Sequence, residues 1–142
     1  MTALIVLIVV ILAAVVVGLP VRARAGKVRP AAAAPAPRAD LLATVGVTGS
    51  VPTVLHFSAD WCGPCAAVRR VVAQTVAELA ESPCPPADIE LDIDAHPSLA
   101  KELGVLSLPT TFIFDRAANE RFRISGVPSA VDLRTALVPL TA

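Results

Sequence analysis

Ala3 to Leu19 is a run of seventeen residues without a charge, composed almost wholly of Ala, Val, Ile and Leu. Nothing in it recurs with a polar face, so it does not read as a helix lying on a globular core. With Thr2, Pro20 and Val21 it reaches twenty residues, and at about 1.5 Å of rise per helical residue that covers about 30 Å, one hydrocarbon layer. The run therefore divides the chain into an apolar helix over residues 1–21 and a remainder that must fold by itself. A competing reading is a cleaved leader, because Ala23-Arg24-Ala25 has the small-x-small form of a cleavage site. Two features favour retention: only Met1-Thr2 precedes the run, with no Lys or Arg, and the run exceeds the usual leader length.

Charge divides the rest of the chain. There are 12 basic and 12 acidic residues in all, yet Arg22, Arg24, Lys27, Arg29 and Arg38 fall between residues 20 and 39, where no acidic residue occurs. From Asp40 onward seven basic residues face twelve acidic ones. Lys and Arg near the end of a span are retained on the cytoplasmic side, so a retained helix predicts that residues 40–142 lie in the cytoplasm, with membrane lipid as a partner. The alternative is an exported domain on the other side. Pro20, Pro30, Pro35 and Pro37 among Ala and Arg make residues 22–39 a semi-extended linker, its cations available to anionic headgroups.

Residues 40–142 alternate in type. Asp40 caps a short helix to about Val45, and Val51 to Ser58 reads as a strand buried on both faces. Val68, Val71, Val72, Thr75, Val76 and Leu79 recur at helical spacing until Ser82-Pro83-Cys84-Pro85-Pro86. Ile89, Leu91 and Ile93 alternate with acids as a strand, Pro97 to Leu103 reads as a helix, and Thr110 to Phe114 and Glu120 to Ile124 as two strands. Ser129 to Val138 forms the last helix. The order predicts an α/β domain, a mixed sheet of about four strands flanked by helices, preceded by one transmembrane helix.

The chemistry is concentrated where the first long strand gives way to a helix, at Trp61-Cys62-Gly63-Pro64-Cys65. A C-x-x-C at such a junction is a dithiol redox site. Cys62 precedes the helix, whose unpaired N–H groups and dipole favour thiolate, which makes it the attacking nucleophile. Cys65, one turn deeper in the helix, is the resolving thiol. Pro64 suits a first helical turn, where its missing N–H costs nothing, and Gly63 admits a substrate backbone.

The segment Phe57-Ser58-Ala59-Asp60-Trp61-Cys62-Gly63-Pro64-Cys65 resembles the active site of thioredoxins. Asp92-Ile93-Asp94, Gly104-Val105, Leu108-Pro109-Thr110 and Gly126 follow in the order of that family, so the resemblance covers roughly residues 40–140. It implies a thioredoxin-like fold, a cis Leu108–Pro109 bond with Pro109 facing the dithiol and shaping the substrate groove, and Trp61 as a packing and substrate-contact residue. The implied activity is that of a protein disulfide reductase, acting on disulfide-containing proteins and recharged by an upstream thiol donor; in the opposite orientation it would be an exported, anchored thioredoxin acting on extracytoplasmic or cytochrome-maturation disulfides. Neither a cofactor nor a metal is implied: Cys84, His56 and His96 stand at no recognisable ligand spacing.

Two departures from the family pattern stand out. No residues between Gly26 and Ala39 read as the family's initial edge strand. At six residues before the first cysteine the family usually carries a buried Asp with a Lys on the neighbouring strand; here those positions hold His56 and Glu90. Histidine changes charge near neutral pH, so His56, oriented by Glu90, is a candidate proton acceptor for Cys65, against the plainer reading of a satisfied core histidine. Cys84 receives no role. With five aromatics and its cations gathered beside the apolar run, the chain gives no support to nucleic-acid binding. A different class of function is a redox-sensing module whose dithiol gates association, which insulin reduction would expose by negligible turnover.

Overall fold

Short aliphatic strands with β-branched residues alternate with amphipathic helices, and a computed structural model, describing residues 2–31 and 38–142, shows how they assemble. The apolar run forms α1 (Thr2–Arg24), which continues through Pro20 and ends on Arg22 and Arg24. Then come β1 (Arg29–Pro30), α2 (Ala39–Thr44), β2 (Thr53–Ser58), α3 (Cys65–Glu78) and β3 (Ala87–Asp92). α4 (Pro97–Glu102), β4 (Thr110–Phe114), β5 (Glu120–Ser125) and α5 (Ala130–Leu137), continued by a single 3-10 turn, complete the chain. The strands make one mixed sheet in the order β1-β5-β4-β2-β3. β2 and β3 are parallel, while β4 runs antiparallel to β2 and β5 to β4.

Every residue of β2 is buried, as expected of a central strand covered on both faces. Side-chain alternation splits them between two cores. Leu55 and Phe57 pack with Leu42, Leu91, Leu99, Leu103, Phe112 and Phe114 under α2 and α4. The Phe57 and Phe112 rings meet edge to face at 6.1 Å. Val54 packs with Val68, Val72, Ile113, Ile124, Leu133 and Leu137 under α3 and α5. His56 and Ser58 extend this second row toward the end of β2, so the row turns from apolar to polar as it nears the dithiol.

The sheet differs from the four strands expected. β1 is a fifth strand, only two residues long, paired antiparallel with β5 through Arg29 opposite Arg123 and Pro30 opposite Phe122. Proline is tolerated there because an edge strand needs ladder bonds on one side only. The pairing extends beyond it: Gly26 N donates to Ser125 O at 2.6 Å and Ala31 N to Arg121 O at 2.9 Å, while Val28 packs on the second core. Residues 26–31, expected as linker, are thus part of the sheet. Arg38, also expected as a linker cation, donates to Glu120 at 3.2 Å. The expectation for residues 32–37 lies outside the described residues.

Candidate active site

A chain leaving a strand can aim its next residues off the end of the sheet, and β2 does so through Ala59 to Pro64. Cys62 N donates back to Ala59 O at 3.0 Å, closing a turn, and Pro64 stands in helical conformation immediately before α3. Cys65 is therefore the first residue of the helix rather than one turn inside it. The two cysteines are joined as a disulfide with Cα atoms 5.5 Å apart. Their surroundings differ: Cys62 is half-buried at the surface, whereas Cys65 is 3% exposed. A Cβ built on Gly63 would meet nothing within 4 Å, which leaves open space over the turn.

Strand register brings other elements to this end. Phe57 of β2 pairs with Thr110 of β4, and Thr110 with Ser125 of β5. Beyond that row lie the dithiol turn, Pro109 and Gly126. The Leu108–Pro109 bond is cis, as the family resemblance implies, and Gly126 N donates to Pro109 O at 2.9 Å. Pro109 is buried and Leu108 leans on the first core. Trp61 remains 71% exposed, its indole N–H donating to Asp94 at 3.2 Å.

Both cysteines line a cleft of about 600 Å³ together with Ser58, Arg69, Glu90 and Asp92. Arg69 lies one helical turn after Cys65, on the same side of α3. Its Nε donates to Glu90 Oε2 at 2.8 Å, and Nη2 donates to the other carboxylate oxygen, a two-pronged pair. The Arg69 guanidinium lowers the Glu90 pKa to about 2 against the opposing effect of partial burial, with the Ser58 hydroxyl and the nearby His56 assisting.

The expected partnership of His56 with Glu90 is not what the side chains make. They are register partners across β2 and β3, but Arg69 occupies the carboxylate, and His56 Nε2 instead lies 3.1 Å from Asp88 Oδ1. His56 is 2% exposed, and the residues lining the dithiol cleft do not include it. Arg69 and Asp88 are the residues that sequence reasoning missed. Arg69 follows Cys65 by four positions, the spacing that puts two residues on one helix face.

Known proteins with this arrangement are thioredoxins. The thioredoxin family model matches residues 44–138. The M-type chloroplastic thioredoxin of Chlamydomonas reinhardtii is 32% identical over 97 residues, 68% of this chain and 66% of that protein. The thioredoxin of Mycolicibacterium smegmatis is 35% identical over 79 residues, 56% of this chain and 70% of that one. Among solved structures, a mutant thioredoxin from Halobacterium salinarum superposes with a TM-score of 0.58 at 28% identity, over 70% of this chain and 83% of the other. Sequence, fold and cysteine geometry agree, and the chain belongs to the thioredoxin family of protein disulfide oxidoreductases.

Proposed function

We propose that the protein is a membrane-tethered protein disulfide reductase in which Cys62 attacks and Cys65 resolves. The observation that carries this reading is the unequal exposure of two bonded cysteines at one cleft, Cys62 half-open and Cys65 buried. In the reduced enzyme the Cys62 thiolate attacks one sulfur of a substrate disulfide, and the other substrate sulfur leaves as a thiolate. Cys65, losing its proton, then attacks Cys62 Sγ and releases the second substrate thiol. Two electrons have passed to the substrate, and the enzyme is left with the Cys62–Cys65 disulfide for an upstream dithiol to reduce. Trp61 and Pro109 flank the point of attack, as the family resemblance implies.

The tether reading rests on α1, long and apolar enough to cross a membrane and unburied along its apolar window. The exposed Arg22, Arg24, Lys27 and Arg29 after it favour a cytoplasmic domain. A second reading, export after cleavage, is favoured by one observation: sheet pairing begins at Gly26, immediately after Ala23-Arg24-Ala25. Cys65→Ser tests the chemistry, since it should accumulate mixed disulfides on Cys62 that a reducing gel removes; their absence would refute the assigned roles. A C-terminal reporter active only outside the cytoplasm tests sidedness, and strong activity would establish the exported arrangement.

A further inference from the structure

The apolar helix and the sheet are joined almost without slack. Arg24 is the last residue of α1, and Gly26 already donates to Ser125 O at 2.6 Å. Two Cα steps separate them, at most about 7.6 Å. Gly26 is held in place: its φ is +74° and a Cβ there would lie 2.2 Å from the Val127 carbonyl oxygen. Gly126, at φ +93°, faces it, and a Cβ on that residue would lie 3.1 Å from Gly26 N. Pairing then continues through Arg29 and Pro30 to Ala31. The junction is a splice into the sheet rather than a swivel.

The splice lies at one particular end of the sheet. Gly26 bonds to the terminal residue of β5, whose row runs through Thr110 to Phe57 and on to the dithiol turn, whereas Ala31 pairs at Arg121, toward the opposite end. From β1 to β2 is three interstrand spacings, on the order of 15 Å. Exposed cations bracket the junction at Arg22, Arg24, Lys27 and Arg29. Three exposed apolar side chains, Trp61, Leu106 and Val127, stand on loops at this same end.

We infer that this splice holds the dithiol beside the bilayer surface, so that the preferred substrates are disulfides in other membrane proteins, within the first few residues beyond their own spans. The inference rests on the reading of α1 as a retained span. A substrate chain that also starts at the bilayer has at most this offset of about 15 Å to cover, about five extended residues. A disulfide at that distance meets Cys62 at a raised effective concentration, which one far along a flexible chain does not share. The exchange is the one already described: the substrate cystine gains two electrons and Cys62 and Cys65 become the disulfide.

The full chain would be placed in phosphatidylcholine–phosphatidylglycerol vesicles with dithiothreitol as electron source. Two single-span peptides serve as probes, one with an intramolecular disulfide about five residues beyond its span and one with it about forty residues beyond. The near disulfide should be reduced at least about five-fold faster than the far one. Inserting about twenty Gly-Ser residues between Arg24 and Ala25 should bring that ratio toward one, with insulin reduction as the check on folding. Should the inserted chain lose insulin turnover, the ratio in the unaltered chain decides alone. Equal rates from a vesicle-bound native chain, or a ratio unmoved by a folded insertion, overturn the geometry and leave the tether standing. Release of the full chain by alkaline carbonate overturns the tether and this inference with it.

Discussion

Arg69 and Glu90 form a two-pronged ion pair inside the cleft that both cysteines line, with Arg69 Nε donating to Glu90 Oε2 at 2.8 Å. The pair is neutral as a unit. A thiolate forming nearby therefore meets a dipole, and each half can be removed separately to expose the charge of the other.

Arg69→Met leaves an unmatched carboxylate beside the dithiol, which disfavours thiolate. The pH–rate profile of insulin reduction should move upward by about half to one unit. Glu90→Gln leaves the guanidinium unmatched and should move it downward by a similar amount. Unmoved profiles would mean that neither charge is felt by the cysteines, and shifts of the same sign that something other than the exposed charge moves them.

The same pair sets an acid limit on stability. The Glu90 pKa is lowered from an ordinary 4.5 to about 2, so the folded protein holds fewer protons at this site than the unfolded chain. The contribution is fully present above about pH 4.5 and is lost as pH falls through about 2. Burial tends to raise the Asp115 pKa, but the Ala117 and Asn119 amides and Arg121 outweigh it and leave the pKa lowered, which places its contribution in the acid range as well. Thermal unfolding followed downward from pH 5 should show a shallower loss in Arg69→Met than in the parent.

His56→Ala separates packing from proton transfer. Removing a 2% exposed side chain leaves a cavity beside the second core and strips Asp88 of its partner. Unfolding free energy in urea should fall by about 1–3 kcal/mol. The pH–rate profile of disulfide reduction should keep its midpoint. A displaced midpoint would give His56 the proton-acceptor role.

Gly26→Ala places a methyl group 2.2 Å from the Val127 carbonyl oxygen at a positive φ. It should cost about 1–3 kcal/mol and speed hydrogen exchange at the Arg29 and Ala31 amides on the strand that pairs with β5. Gly18→Ala is the matched control, since nothing lies within 4 Å of a Cβ there, and exchange at those amides should not change. Equal effects from the two variants would argue against the splice.

Much of this architecture is written in local pattern. β2 declares itself through consecutive aliphatic residues and α3 through its spaced valines, because central strands and amphipathic helices carry their burial in composition. β1 is silent for the opposite reason. Two residues have no period, one is a proline, and pairing with β5 is fixed by Gly26 against Gly126, a contact between residues far apart in sequence. The dithiol is legible because motif and junction coincide. Its charge environment is not: an arginine on an exposed helix face ordinarily reads as solvated, and His56 bonds to an acid two residues along β3 from its register partner.

The sewn edge at residues 26–31 also decides how the catalytic domain can be prepared by itself. A polypeptide begun at Asp40, where the alternating pattern starts, would strip β5 of its outer partner β1 and bare the backbone groups on that side, a template for intermolecular pairing. One begun at Ala25 keeps Gly26 on Ser125 and Val28 on the second core. The shorter polypeptide should self-associate where the longer stays monomeric, so the smallest well-behaved unit of this enzyme includes a stretch that looks, in one dimension, like spacer.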